Sequence, residues 1–112
     1  MPYIDLKTSV PVSDEKARRL KEGFGAAIRD LGKTESWLMV GIEGEKQLFF
    51  KGEDGDFAIA QIALFGRASE AQYDNMTADV CALISDVLEI GCDRIYVKYE
   101  EVDHWGFNGF NF

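Results

Sequence analysis

The apolar positions of this chain switch between two periods in a fixed order. Residues 2–7 form a short apolar run closed by Lys7-Thr8-Ser9, too brief for a helix and consistent with a strand that begins at Pro2. After Pro11, Ser13 is placed to cap a helix with Asp14 and Glu15 in its first turn. Its apolar stripe, Ala17, Leu20, Phe24, Ala27, Ile28 and Leu31, recurs at three-to-four spacing until Gly32. Trp37 to Ile42 reads as a buried strand, and Gln47 to Lys51 as a shorter strand between two turn-like stretches. The order then recurs. Phe57 to Phe65 is apolar apart from Gln61, and Ser69 with Gln72 three residues later is the signature of a capping box. Tyr73, Met76, Val80, Leu83, Ile84, Val87 and Leu88 keep the helical period until Gly91, which is expected to be the left-handed stop. Arg94 to Tyr99 alternates like a half-buried strand.

Strand, helix and strand therefore follow one another over residues 2–43 and again over 57–101, a structural duplication inside a single domain of residues 1–112. Right-handed crossovers merge two such βαβ units into an α+β, two-layer fold: a four-stranded sheet with both helices on one face. The other face is left bare. Aromatic and aliphatic side chains are expected to alternate onto it, and self-association is the simplest way to cover them.

The 12 Lys and Arg stand against 20 Asp and Glu, a net charge of −8 that works against nucleic acid or anionic membrane partners. The length allows a core that needs neither disulfides nor a structural metal. Cys81 and Cys92 are eleven positions apart, and His104 is the only histidine, so no metal-ligand spacing is present and no metal site is expected. Cys81 reads as a small buried hydrophobe. The acidic stretches 53–56 and 100–103 lack a calcium-loop pattern and read as solvated turns. No cationic head followed by an apolar run opens the chain, and nowhere do about 20 apolar residues run together. The expectation is a cytoplasmic protein, any release of which would proceed without a signal peptide.

Four short motifs sit at informative separations: Met1-Pro2 opening directly into a strand, Leu31-Gly32-Lys33 after the first helix, Asp93-Arg94-Ile95-Tyr96 before the last strand, and Trp105-Gly106-Phe107-Asn108-Gly109 near the end. In this order, over a duplicated βαβ pattern, the chain resembles the macrophage migration inhibitory factor family of the tautomerase superfamily. The resemblance implies a homotrimer with active sites between subunits. It also implies cofactor-independent keto–enol tautomerisation of phenylpyruvate-like 2-oxo acids, or of dopachrome-type substrates. Other implied outcomes are a cytokine-like, receptor-binding protein with a vestigial pocket, or another superfamily reaction on a small acid, for which Arg29 and Arg67 match no motif.

The resemblance assigns catalytic roles to Pro2, Lys33 and Tyr96. A free N-terminal proline is a secondary amine, with an ordinary α-amino pKa close to 8; burial and a nearby cation both lower it, leaving a neutral base at working pH. Lys33 would contact the substrate carboxylate, although a lysine after the Gly32 helix end is also what the helix dipole favours. Tyr96 would reach in from the adjacent subunit, although a strand tyrosine is otherwise simply core. The Phe65 backbone amide would donate to substrate, and Trp37, Trp105 and Phe107 would line the pocket. Lys98 would add a second cation at its mouth or stand as a solvated strand charge. The tail Phe110-Asn111-Phe112 would pack on a neighbour. Ala58 and Gln61 occupy the positions of the animal proteins' CxxC pair, so no thiol–disulfide activity is expected. While Met1 remains attached, the Pro2 nitrogen is an amide with no basicity.

Overall fold

Burial alternates with a period of two along the two central strands, and this alternation divides the chain into two layers. The computed structural model describes all of residues 1–112. Its main sheet runs in the order β2-β1-β3-β4, formed by β1 (Pro2–Thr8), β2 (Met39–Glu43), β3 (Ala58–Phe65) and β4 (Ile95–Val102). Helices α1 (Asp14–Ala27) and α2 (Glu70–Leu88) connect parallel pairs, β1 to β2 and β3 to β4, while β1 and β3 pair antiparallel at the centre. A small hairpin of β5 (Gly106–Phe107) and β6 (Phe110–Asn111) closes the chain. The expected four-stranded sheet with two crossover helices is therefore observed.

One face of β1 supplies Ile4 and Leu6, one face of β3 Ala60, Ile62 and Leu64, and all are essentially inaccessible. Above them lie Leu20, Phe24 and Ile28 from the first helix and its extension, and Met76, Val80 and Ile84 from α2. Leu83 of α2 fills the space a side chain at Gly23 would need, which lets the two helices approach closely. Thr8 is the buried polar residue of this layer, and its hydroxyl donates to the Phe57 carbonyl at 2.8 Å, so burial leaves no orphaned donor.

Both helix starts follow their local signals. The Ser13 hydroxyl accepts from the Lys16 N–H, and Ser69 and Gln72 form the reciprocal capping box, Gln72 N to Ser69 Oγ at 3.2 Å and Ser69 N to Gln72 Oε1 at 2.8 Å. The helix ends differ from expectation. The α-helical part of the first helix stops at Ala27 and tightens into a 3-10 turn over Ile28–Leu31, with Gly32 left-handed at φ 73°. The left-handed residue ending α2 is Glu89, φ 58°, while Gly91 is extended; burying Ile90 in the core requires the chain to turn two residues earlier.

Three other expectations are corrected. Trp37 lies in a 3-10 turn over Glu35–Trp37 rather than in a strand, and β2 is not buried, because it is an edge strand paired only with β1. Residues 47–51 form no strand: Phe50 and Glu53 make a single tight bridge around the positive-φ pair Lys51 and Gly52, and these residues pair with no strand of the main sheet. Cys81 is half-buried rather than buried, beside the exposed Cys92.

The open face of the sheet is also more polar than expected. Asp5, Lys7, Gln61, Lys98 and Glu100 share it with Tyr3, Ile59, Ala63 and Tyr96. Lys7 bonds Asp5 at 2.6 Å and lies 3.6 Å from Glu43. The large exposed apolar groups gather instead toward the sheet's margins, at Met39, Phe49, Tyr96 and Phe110.

Because both halves of the capping box are formed, Ser69→Ala removes the acceptor for the Gln72 N–H and should lower stability by about 1 kcal/mol. Urea unfolding measures this; an unchanged midpoint would show that α2 does not depend on its cap.

Candidate functional site

Pro2 is buried at the first position of a strand paired on both sides. Opposite it in β3 stands Leu64, and Tyr3 pairs with both Ala63 and Met39. This pairing fixes Met1 at the end of β3, where the Phe65 N–H donates to the Met1 carbonyl at 3.0 Å. Lys33 arrives at the same place from the helix layer. The 3-10 turn and Gly32 reverse the chain after α1, and the half-buried Lys33 Nζ donates to the Phe65 carbonyl at 3.4 Å. Pro2, Lys33 and the Phe65 peptide thus meet at one end of the sheet.

The terminal amine belongs to Met1, a primary amine that stands in place for the imino nitrogen Pro2 would expose if Met1 were removed. Its pKa lies below the ordinary 8.0, chiefly through burial and secondly through the Lys33 charge. Both causes favour the neutral, proton-accepting form.

A cleft of about 580 Å³ opens beside this end, lined by Met1, Pro2, Tyr3, Ser36, Trp37, Leu38, Met39, Trp105, Gly106 and Phe107. Trp37 meets Phe107 edge to face, with ring centroids 5.2 Å apart, so the turn before β2 and the terminal hairpin are joined across it. The tail also packs on its own chain: Phe112 lies 5.9 Å from the Phe65 ring and its N–H donates to the Trp105 carbonyl, while Phe110 projects outward. Tyr3 and Met39 were not among the residues singled out from the sequence. The alternation along β1 gave the signal for Tyr3; Met39 becomes a wall only through its register with Tyr3.

Tyr96 and Lys98 lie elsewhere within the chain. Tyr96 pairs with Ile59, five residues along β3 from the position opposite Pro2, or about 16 Å at the usual strand rise. It is 60% exposed and stacks edge to face on Phe50 beside a second, apolar cleft of about 190 Å³ that includes Phe49, Phe57 and Arg94. Lys98, in register with Gln61, stands over a shallow depression of the open face with Tyr3, Asp5 and Glu100. Neither reaches the Pro2 end of its own chain.

Other groups suggest no further chemistry. Burial, followed by Cys92, pushes the Cys81 thiol up, away from the reactive thiolate. No group of three or more His, Cys, Asp or Glu is arranged to hold a metal ion, and no helix is long and apolar enough to cross a membrane.

Comparison with known proteins shows the family and the fold. The family model "Macrophage migration inhibitory factor (MIF)" matches residues 1–112. The mouse macrophage migration inhibitory factor is 27% identical over 114 residues, covering 100% of this chain and 99% of the relative. Among solved structures, MIF2 of Leishmania major superposes with a TM-score of 0.95 at 30% identity, covering 100% of this chain and 97% of the other. A macrophage migration inhibitory factor homologue of Prochlorococcus marinus gives 0.90 at 27% identity, covering 98% of each.

Lys33→Gln should raise the pKa of the terminal amine, but only part of the way to 8.0, since burial is the larger cause. An NMR titration of the terminal group tests this; full recovery of the ordinary value would make the lysine charge the principal cause.

Proposed function

Because the chain belongs to the macrophage migration inhibitory factor family of the tautomerase superfamily, we propose that it is a cofactor-independent keto–enol tautomerase of phenylpyruvate-like 2-oxo acids. It acts once Met1 has been removed, with Pro2 as general acid and base. The observation that carries this reading is the Phe65 N–H held by the Met1 carbonyl next to Lys33. In this reading a carbonyl oxygen already occupies the place a substrate oxygen would take. Removal of Met1 frees that N–H and converts the Pro2 amide into a secondary amine, exposed to the two influences that depress the Met1 amine.

The chemistry then requires only proton movement. The neutral Pro2 nitrogen takes a proton from the carbon next to the 2-oxo group, or from the enol hydroxyl in the reverse direction, and returns it at the other position. Charge developing on the substrate oxygens is met by the Lys33 ammonium and the Phe65 N–H, both aimed into the site before reaction. Trp37, Trp105 and Phe107 supply flat apolar walls for the aryl group.

The same proposal makes the protein a homotrimer with sites shared between subunits. The distance of Tyr96 and Lys98 from Pro2 within one chain supports this, because a neighbouring copy can bring that end of β4 to the cleft. The exposed Met39, Phe49, Tyr96 and Phe110 would be covered by the same contact. A second reading follows if Met1 is retained. The Pro2 nitrogen then stays an amide, the Phe65 N–H stays satisfied, and the protein is a cytokine-like binding protein with a vestigial pocket. Intact mass of the natively produced chain separates the two.

Pro2→Gly should lower kcat/KM for phenylpyruvate tautomerisation by about 10²-fold or more, the usual contribution of a positioned base. The sedimentation coefficient should stay that of a trimer. Undiminished turnover in this variant would remove Pro2 from the mechanism.

A further inference from the structure

The turn that presents Lys33 rests on α2 through a contact between two acids. Asp30 sits in the 3-10 turn Ile28–Leu31, and its Oδ2 is shut off from water with no hydrogen-bond partner. A charged oxygen in that condition is costly, so the group either finds a donor or takes up a proton. The side chain that meets it from α2 is another carboxyl, that of Asp79, a residue itself open to solvent. From β4 the hydroxyl of Tyr99 faces the same seam, but its hydrogen bonds go to Thr77 Oγ1 at 2.8 Å and the Tyr73 carbonyl at 3.2 Å. Arg29, next in the chain, points to solvent. The Asp79 contact and burial both raise the Asp30 pKa, and no neighbouring cation offsets them.

We propose that Asp30 keeps a proton, donated across the seam to Asp79, and that this proton fixes the turn carrying Lys33. The link to Lys33 is short and stiff. Gly32 N–H donates to the Arg29 carbonyl at 2.9 Å and Lys33 N–H to the Ile28 carbonyl at 3.4 Å, around the left-handed Gly32. When this proton leaves, two carboxylates face each other and the turn is pushed off α2. Lys33 Nζ, held only by the 3.4 Å bond to the Phe65 carbonyl, moves with it. Asp30 is thus a positioning residue, two steps removed from the chemistry.

The sign of the pH dependence follows. The folded chain holds this proton more tightly than the unfolded chain, so the contact's contribution is complete below the ordinary Asp pKa. It is lost as pH rises through the higher value of the folded state. Asp79→Asn replaces the acid with an amide whose N–H donates to the Asp30 carboxylate at every pH, so the turn stays docked.

The decisive experiment is an NMR titration of the full chain following the Asp30 carboxyl carbon and the backbone amides of Gly32 and Lys33. In the wild type the carboxyl should titrate above the ordinary value of about 3.9, and both amides should shift with the same midpoint. In Asp79→Asn the carboxyl should titrate lower and the amide shifts should vanish. The wild-type urea midpoint should fall over the same pH range, and that of the variant should not; Asp30→Asn must flatten the profile likewise, and serves if the first variant does not fold. An Asp30 that titrates normally, or identically in Asp79→Asn, overturns the retained proton. A raised Asp30 with unmoved amides overturns the positioning role. The consequence for catalysis rests on reading Lys33 as the substrate anchor: KM for phenylpyruvate should rise across this range in the wild type only, with kcat held. An inactive chain whose titration is as stated would sink the tautomerase reading and sustain the retained proton.

Discussion

The arrangement depends on β1 being an interior strand from its first residue. A chain terminus is normally frayed, because its backbone groups have no partners to outweigh the entropy of ordering them. Here β1 lies between β2 and β3, with Pro2 opposite Leu64 and Tyr3 bonded into both neighbours. Ile4 and Leu6 anchor it in the core beneath Leu20 and Phe24. The terminal amine is therefore held in a fixed place among apolar walls, and that is what depresses its pKa. Proline suits the position, since a first strand residue has no need of an N–H and the ring fixes φ.

Two further constraints converge on the same point. The end of β3 presents the Phe65 peptide, whose N–H and carbonyl are both engaged, by Met1 and by Lys33. The first helix, by tightening into a 3-10 turn and reversing at Gly32, delivers Lys33 from the opposite layer. The site is thus assembled from a strand start, a strand end and a helix end, each positioned by the core rather than by a flexible loop. The aromatic wall is less enclosed: Trp37 and Phe107 hold each other edge to face, yet about half of each remains in contact with water.

Local signals in the sequence were read accurately where the physics is local. Ser13 and the Ser69–Gln72 pair cap the helices they precede, and the apolar runs 2–7 and 57–65 form the two central strands. What depended on distant partners was not legible. Trp37 to Ile42 reads as buried because its letters are apolar, but burial is decided by which strand lies at the sheet edge. Residues 47–51 have strand letters but pair with no strand of the chain. Glu89 takes the left-handed turn in place of Gly91 because Ile90 must reach the core. Pro2 and Lys33 were found through resemblance, since neither a proline near a terminus nor a lysine after a helix carries a signal of its own. The Asp30–Asp79 contact joins residues 49 positions apart, and no motif marks it.

The central claim is that the processed chain presents a neutral imino nitrogen at the end of β1. Alkylation by an electrophilic 2-oxo acid, mapped by mass spectrometry, tests it most directly. The account predicts a single adduct on the Pro2 nitrogen, formed faster as pH rises through the depressed amine pKa and suppressed by phenylpyruvate. An adduct confined to surface lysines, or none at all, would contradict it.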